Sequence, residues 1–267
     1  MALTLASALP LPRRPVVQSP AVPDDHLETL PAAARLAWWG TAWLRGAVVT
    51  DLLVDAVIGG DATHTVADPF QGTDTLVGGL ARLRAEGATS FGAAFPAEGD
   101  PVGLGGPAPF NAASLEAGSA VVVAGADLGL VPQRTGAAVA WVLHPAARRQ
   151  LPDVGEADRG LRAALLESAG RLAELDVARW NPEVADQLMN LRHRPALAAP
   201  PGVPARCVDL AARGLQALGI ADLALADDGG AVTAYEMTAR RDALVPLARA
   251  GRRALVAACS PEVWPPA

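Results

Sequence analysis

The chain has 267 residues, of which 51% are hydrophobic and 19% charged, and its formal net charge is −6. That length and apolar content can bury a sizeable core, in one large domain or two modest ones, and exclude a disordered chain. The acidic balance argues against non-specific nucleic-acid binding, and all 22 Lys+Arg positions are Arg, which excludes Schiff-base, P-loop and general-base lysine chemistry. The bias toward Arg, Ala, Gly, Val and Leu reflects GC-rich coding of a bacterial kind.

Residues 1–27 are proline-rich and read as an extended arm. Arg13 and Arg14 follow the apolar stretch instead of preceding it, and Pro10 and Pro12 break it, so no secretory signal is assigned. A long helix is expected over about 31–58. Leu36, Trp39, Trp43 and Ala47 recur at helical spacing, and the stretch is apolar on nearly every side, the mark of a buried helix. Arg45, Asp51 and Asp55 lie within it and speak against a membrane span. Gly59-Gly60 ends it, and residues 61–74 read as a polar loop. Thr73 or Asp74 then caps a helix to about Glu86, with Leu76, Leu80 and Leu83 on one face.

Between 88 and 145 the runs are short, β-like and bounded by Gly, Pro and Asp. Residues 121–124 and 138–142 are expected to pair across the GLVPQRTG connection, with a short helical piece at 111–117. From Gly155 the pattern is helical. Leu161, Leu165, Ser168, Leu172 and Leu175 form one stripe, and Asn181-Pro182-Glu183 starts a second helix. A third helix spans 205–226, Asp227-Asp228-Gly229-Gly230 turns the chain, and residues 231–241 are helical. A last stripe runs from Leu244 to Ala258, started or kinked by Pro246.

The expected fold is α+β and predominantly helical. A small, mostly antiparallel sheet of three to five strands packs with the buried Trp-rich helix and a C-terminal bundle of four or five helices. The expected division is an arm at 1–27, an α+β region at 28–149 and a helical bundle at 155–260, with one intertwined domain as the alternative.

Two stretches are candidate ligand-binding segments. Asp61, His64 and Asp68 follow Asp51 and Asp55, which sit one helical turn apart. Carboxylates with an imidazole suit a divalent metal or general acid–base work, although turn capping and ion pairing explain the same residues. Gly103, Gly105 and Gly106 lie in GDPVGLGG (99–106), where backbone N–H groups can converge on an anion. Pro107 and Pro109 interrupt any dinucleotide fingerprint. Arg192-His193-Arg194 reads as a basic helix end or an anion site, and the four Arg-Arg pairs as solvated surface. Trp264 is an interface candidate, whereas Trp38, Trp39, Trp43 and Trp141 belong to the core. Cys207 and Cys259 read as buried free thiols of a reducing cytoplasm. No metal or cofactor is specified by any motif.

These features point to a cytoplasmic binding or protein-interaction module that self-associates, with neither nucleic acid nor membrane as partner. The alternative is a small-molecule-binding protein or metal-assisted enzyme, with its site where the 61–68 and 99–106 loops would meet.

Overall fold

Six strands form one sheet in the computed structural model, which describes residues 30–174, 197–226 and 234–265. In chain order they are β1 (Thr63–Asp68), β2 (Gly72–Thr75), β3 (Ser90–Ala94), β4 (Ala120–Ala124), β5 (Leu128–Thr135) and β6 (Ala138–Pro145). Their spatial order is β2-β1-β6-β5-β4-β3. Pairing is antiparallel except between β1 and β6, which run parallel with Thr63 opposite Ala138.

Two stretches read as connections are strands. The expected polar loop at 61–74 is the β1–β2 hairpin, in which THTVAD alternates so that His64 and Val66 turn into the protein. The GLVPQRTG connection is β5, which pairs with both β4 and β6. Pro132 is tolerated there because β4 pairs with β5 only at residues 128–130, leaving one side of the strand free of a ladder.

The expected helix over 31–58 is two helices. Ala32–Arg35, a π-helical Leu36–Gly40 and Thr41–Leu44 follow one another as α1. The chain leaves the helix at Gly46, whose φ of +72° is costly for any other residue, and resumes as α2 (Thr50–Ile58). Only α1 is the buried element that its composition suggests. Leu36, Ala37 and Trp38 are inaccessible to solvent, whereas Val49 and Leu52, at the start of α2, are exposed.

Helix α3 (Leu76–Ala85) is capped by the Thr75 hydroxyl, which accepts from the Gly78 N–H, and it buries Leu76, Leu80 and Leu83. A Cβ on Gly79 would fall 2.3 Å from that of Val66, so glycine sets how closely α3 crosses β1. The short α4 is Ala108–Ala117. Three longer helices follow: α5 (Val154–Glu174), α6 (Ala205–Ala226) and α7 (Ala234–Ala258). Helix α7 packs against both others and runs through the exposed Pro246 without ending. The expected arm at 1–27, Trp180, the helix from Asn181, Arg192-His193-Arg194 and the turn at 227–230 lie outside the described residues. Three of the expected four or five bundle helices are therefore described.

The end of α7 closes the sheet. The Ala93 N–H on β3 donates to the Cys259 carbonyl. Both Trp38 and Trp264 donate their indole N–H to the Ala258 carbonyl, at 3.1 and 2.9 Å. Such carbonyls lack partners inside a helix, so the indoles act as its C-terminal caps. Trp264, expected at an outer interface, thus docks on its own chain, with the Arg45 guanidinium over its ring. Arg149 clamps the same junction: its guanidinium donates to the Ala93 carbonyl, Ser260 Oγ and the Glu262 carboxylate. A Cβ on Gly92 would lie 1.7 Å from Arg149 Nη2. Two of the four Arg-Arg pairs expected at the surface have a buried member, Arg149 in one and Arg240 in the other. Cys207 and Cys259 are free and buried, and burial pushes the Cys207 thiol up to about 11. Among the described residues no helix is long and apolar enough to cross a membrane.

Candidate functional site

The alternation of β1 turns His64 toward Trp141 on the neighbouring β6. The Trp141 indole can only donate, so His64 Nδ1 accepts its N–H at 3.2 Å. The imidazole proton then sits on Nε2, which donates to Asp61 Oδ2 at 2.9 Å. Burial holds the His64 pKa below its ordinary value, overcoming the opposing pull of Asp61. His64 is thus a neutral ring with both nitrogens engaged.

Asp61 gathers three partners. Burial pushes its carboxyl pKa up, but hydrogen bonds from Arg134 and His64 outweigh that and leave it below the usual carboxylate range. Arg134 approaches both carboxylate oxygens, and Arg35 Nη2 lies 3.5 Å from Oδ2. Arg35 is otherwise spent on the carbonyls of Leu30, Val57 and Ile58, where it caps the end of α2. Arg134 differs, because its side chain is 48% exposed. It lines a cleft of about 440 Å³ together with Pro31, Arg35, Asp61, Ser119 and Val139.

Of the residues singled out in the sequence, His64 and Asp61 meet. Asp68 does not join them: its Oδ1 accepts from the N–H groups of Phe70 and Gln71 and closes the hairpin turn. Asp51 and Asp55 are exposed on α2. Among the described residues, no group of three or more His, Cys, Asp and Glu side chains is placed to hold a metal ion. The 99–106 loop follows β3, at the opposite edge of the sheet from the β1–β2 hairpin, so the two loops are not brought together. A Cβ on Gly103 would fall 2.9 Å from that of Ala94, one on Gly105 would fall 2.4 Å from the Arg148 carbonyl oxygen, and the Gly106 N–H donates to Asn111 Oδ1.

Sequence reading missed Arg35 and Arg134. The one available signal for Arg134 was its place in a segment that reads as a strand once β6 is recognised as its partner. Arg35 is an ordinary helix arginine until α2 folds back over it. A second cleft of about 440 Å³ borders Val122, Arg149 and Glu262, but its guanidinium is consumed by the clamp described above.

Two family models match this chain in tandem. "Rv1486c-like protein, N-terminal domain" covers residues 33–155, and "Rv1486c-like protein, C-terminal domain" covers residues 155–256. Their boundary falls at the start of α5. No curated protein and no solved structure matches the chain.

Proposed function

From the premise that the chain belongs to the Rv1486c-like family, we propose that it is a binding protein whose cleft beside Arg134 takes a small carboxylate. The observation that carries this reading is the half-exposed Arg134 guanidinium on the cleft wall, braced from behind by Asp61. Two guanidinium groups, one carboxylate and a neutral imidazole leave a net positive charge at that wall. Asp61 is itself held by Arg35 and His64, so Arg134 is positioned before any ligand arrives, which reduces the ordering cost of binding. The volume lies within the range of small-molecule sites. His64 supports Asp61 and has neither a lone pair nor a proton to spare for acid–base chemistry.

The test is calorimetric titration with a panel of acetate, succinate and benzoate. Arg134→Gln is expected to weaken binding by about tenfold or more, since hydrogen bonds to charged groups contribute roughly 1.5–3 kcal/mol. If the wild type binds none of the three, or the variant binds equally well, the reading fails.

Self-association is a second reading. Phe70, at the hairpin tip, is 95% exposed beside β2, an edge strand with all four residues exposed. Antiparallel pairing of two β2 strands about a two-fold axis would cover both edges. Under this reading Phe70→Asp converts a sedimenting dimer to a monomer; a wild-type monomer at high protein concentration ends it. The two free, buried thiols suit a reducing compartment such as the cytoplasm. The net charge of −6 favours neither nucleic acid nor anionic membrane as partner.

A further inference from the structure

The 99–106 loop carries a second charged cluster, independent of the cleft. Asp100 is 4% exposed, and three guanidinium groups of α7 gather on its carboxylate. Arg252 Nη2 lies at 3.2 Å, Arg249 Nε at 3.9 Å and Arg253 Nη2 at 4.0 Å. Only the first is a hydrogen bond. Arg252 also faces Asp222 on α6, whose carboxyl it pulls down against the rise caused by burial. Arg252 is therefore the arginine that the acids neutralise, and it braces the loop on α7.

Arg249 and Arg253 are left over. They are 49% and 51% exposed, sit one turn apart on the same face of α7, and make no hydrogen bond among the described residues. With both acids ionised, the five groups retain a net positive charge. The loop beside them is open: a Cβ added to Gly99 would meet nothing within 4 Å. Two planar guanidinium groups present more donors than one carboxylate can accept. They match an acceptor with at least three oxygens and more than one negative charge.

We propose that Arg249 and Arg253 form a binding site for the phosphate group of a small phosphorylated molecule. Asp100, anchored by Arg252, holds the two guanidinium groups together. Loop anchoring is then the task of Arg252, and ligand binding that of its two neighbours.

The test is NMR of the arginine Nε–H signals of the full chain, titrated with inorganic phosphate at constant ionic strength, with chloride as the control. The signals of Arg249 and Arg253 are expected to shift saturably with phosphate and not with chloride. The double variant Arg249→Gln/Arg253→Gln is expected to lose phosphate affinity by at least tenfold while keeping its melting temperature, and in Arg134→Gln the phosphate-induced shifts of Arg249 and Arg253 are expected to remain. Linear shifts shared with chloride overturn the proposal and identify an adventitious ion only. So does a double variant that binds phosphate as the wild type does. A double variant that melts well below the wild type overturns it too, because both arginines would then be anchors.

Discussion

Replacing Arg149 with Ala is expected to remove about 3–5 kcal/mol of unfolding free energy, the range for breaking a buried ion pair. The Arg149 side chain is 2% exposed, and its guanidinium reaches both Glu262 oxygens, Ser260 Oγ and the Ala93 carbonyl. Deleting it leaves those acceptors without their donor and opens a void against Gly92, which is glycine because the guanidinium occupies the place of a side chain. Burial lowers the Arg149 pKa against the pull of Glu262, yet an arginine stays charged across the working pH range. Glu262 is 30% exposed, so Glu262→Gln, which keeps an acceptor oxygen and gains access to water, should cost distinctly less. Urea unfolding of the three proteins reads the difference. A loss below about 1 kcal/mol for Arg149→Ala would mean that the clamp is dispensable and the end of α7 is held by packing instead.

Trp38→Ala is expected to cost a similar amount, about 3–5 kcal/mol, as large aromatic deletions in cores do. Trp38 is fully buried on α1, and its indole reaches the end of α7. Trp38→Phe separates the two contributions. It keeps most of the apolar contact and removes only the donor, and the Ala258 carbonyl still receives the Trp264 indole. The expected cost of Trp38→Phe is roughly 1 kcal/mol, the net value of one hydrogen bond. Equal losses in the two variants would place the stabilisation in the hydrogen bond and not in the packing.

What could be read in advance was local. The α3 stripe of Leu76, Leu80 and Leu83 and the bounds of α6 depend on neighbours within a few residues, and these are found, although the cap of α3 is Thr75 and not the expected Thr73 or Asp74. The β1–β2 hairpin was hidden by composition. THTVAD alternates as a half-buried strand should, but its inward residues include a histidine, which reads as polar. β5 was hidden by Gly129 and Pro132, ordinarily breakers, and tolerated here because the ladder is one-sided past residue 130. The break between α1 and α2 rests on the left-handed conformation of one glycine, which no periodicity announces. The site was legible only in its near-sequence half, His64 with Asp61. Trp141 and Arg134 arrive through strand pairing 70 or more positions away, and three arginines of α7 meet Asp100 from further still.

The Ala258 carbonyl accepts the Trp38 indole across 220 positions of sequence. During synthesis, β3 and α1 therefore emerge long before the segment that seals them. For that interval the edge of β3 has no covering carbonyl, and Trp38 has no acceptor. At ~5–20 residues per second the wait is on the order of tens of seconds, during which the half-made chain offers an adhesive strand edge to its neighbours. The time spent on the ribosome thus sets how long this protein depends on whatever shields nascent chains.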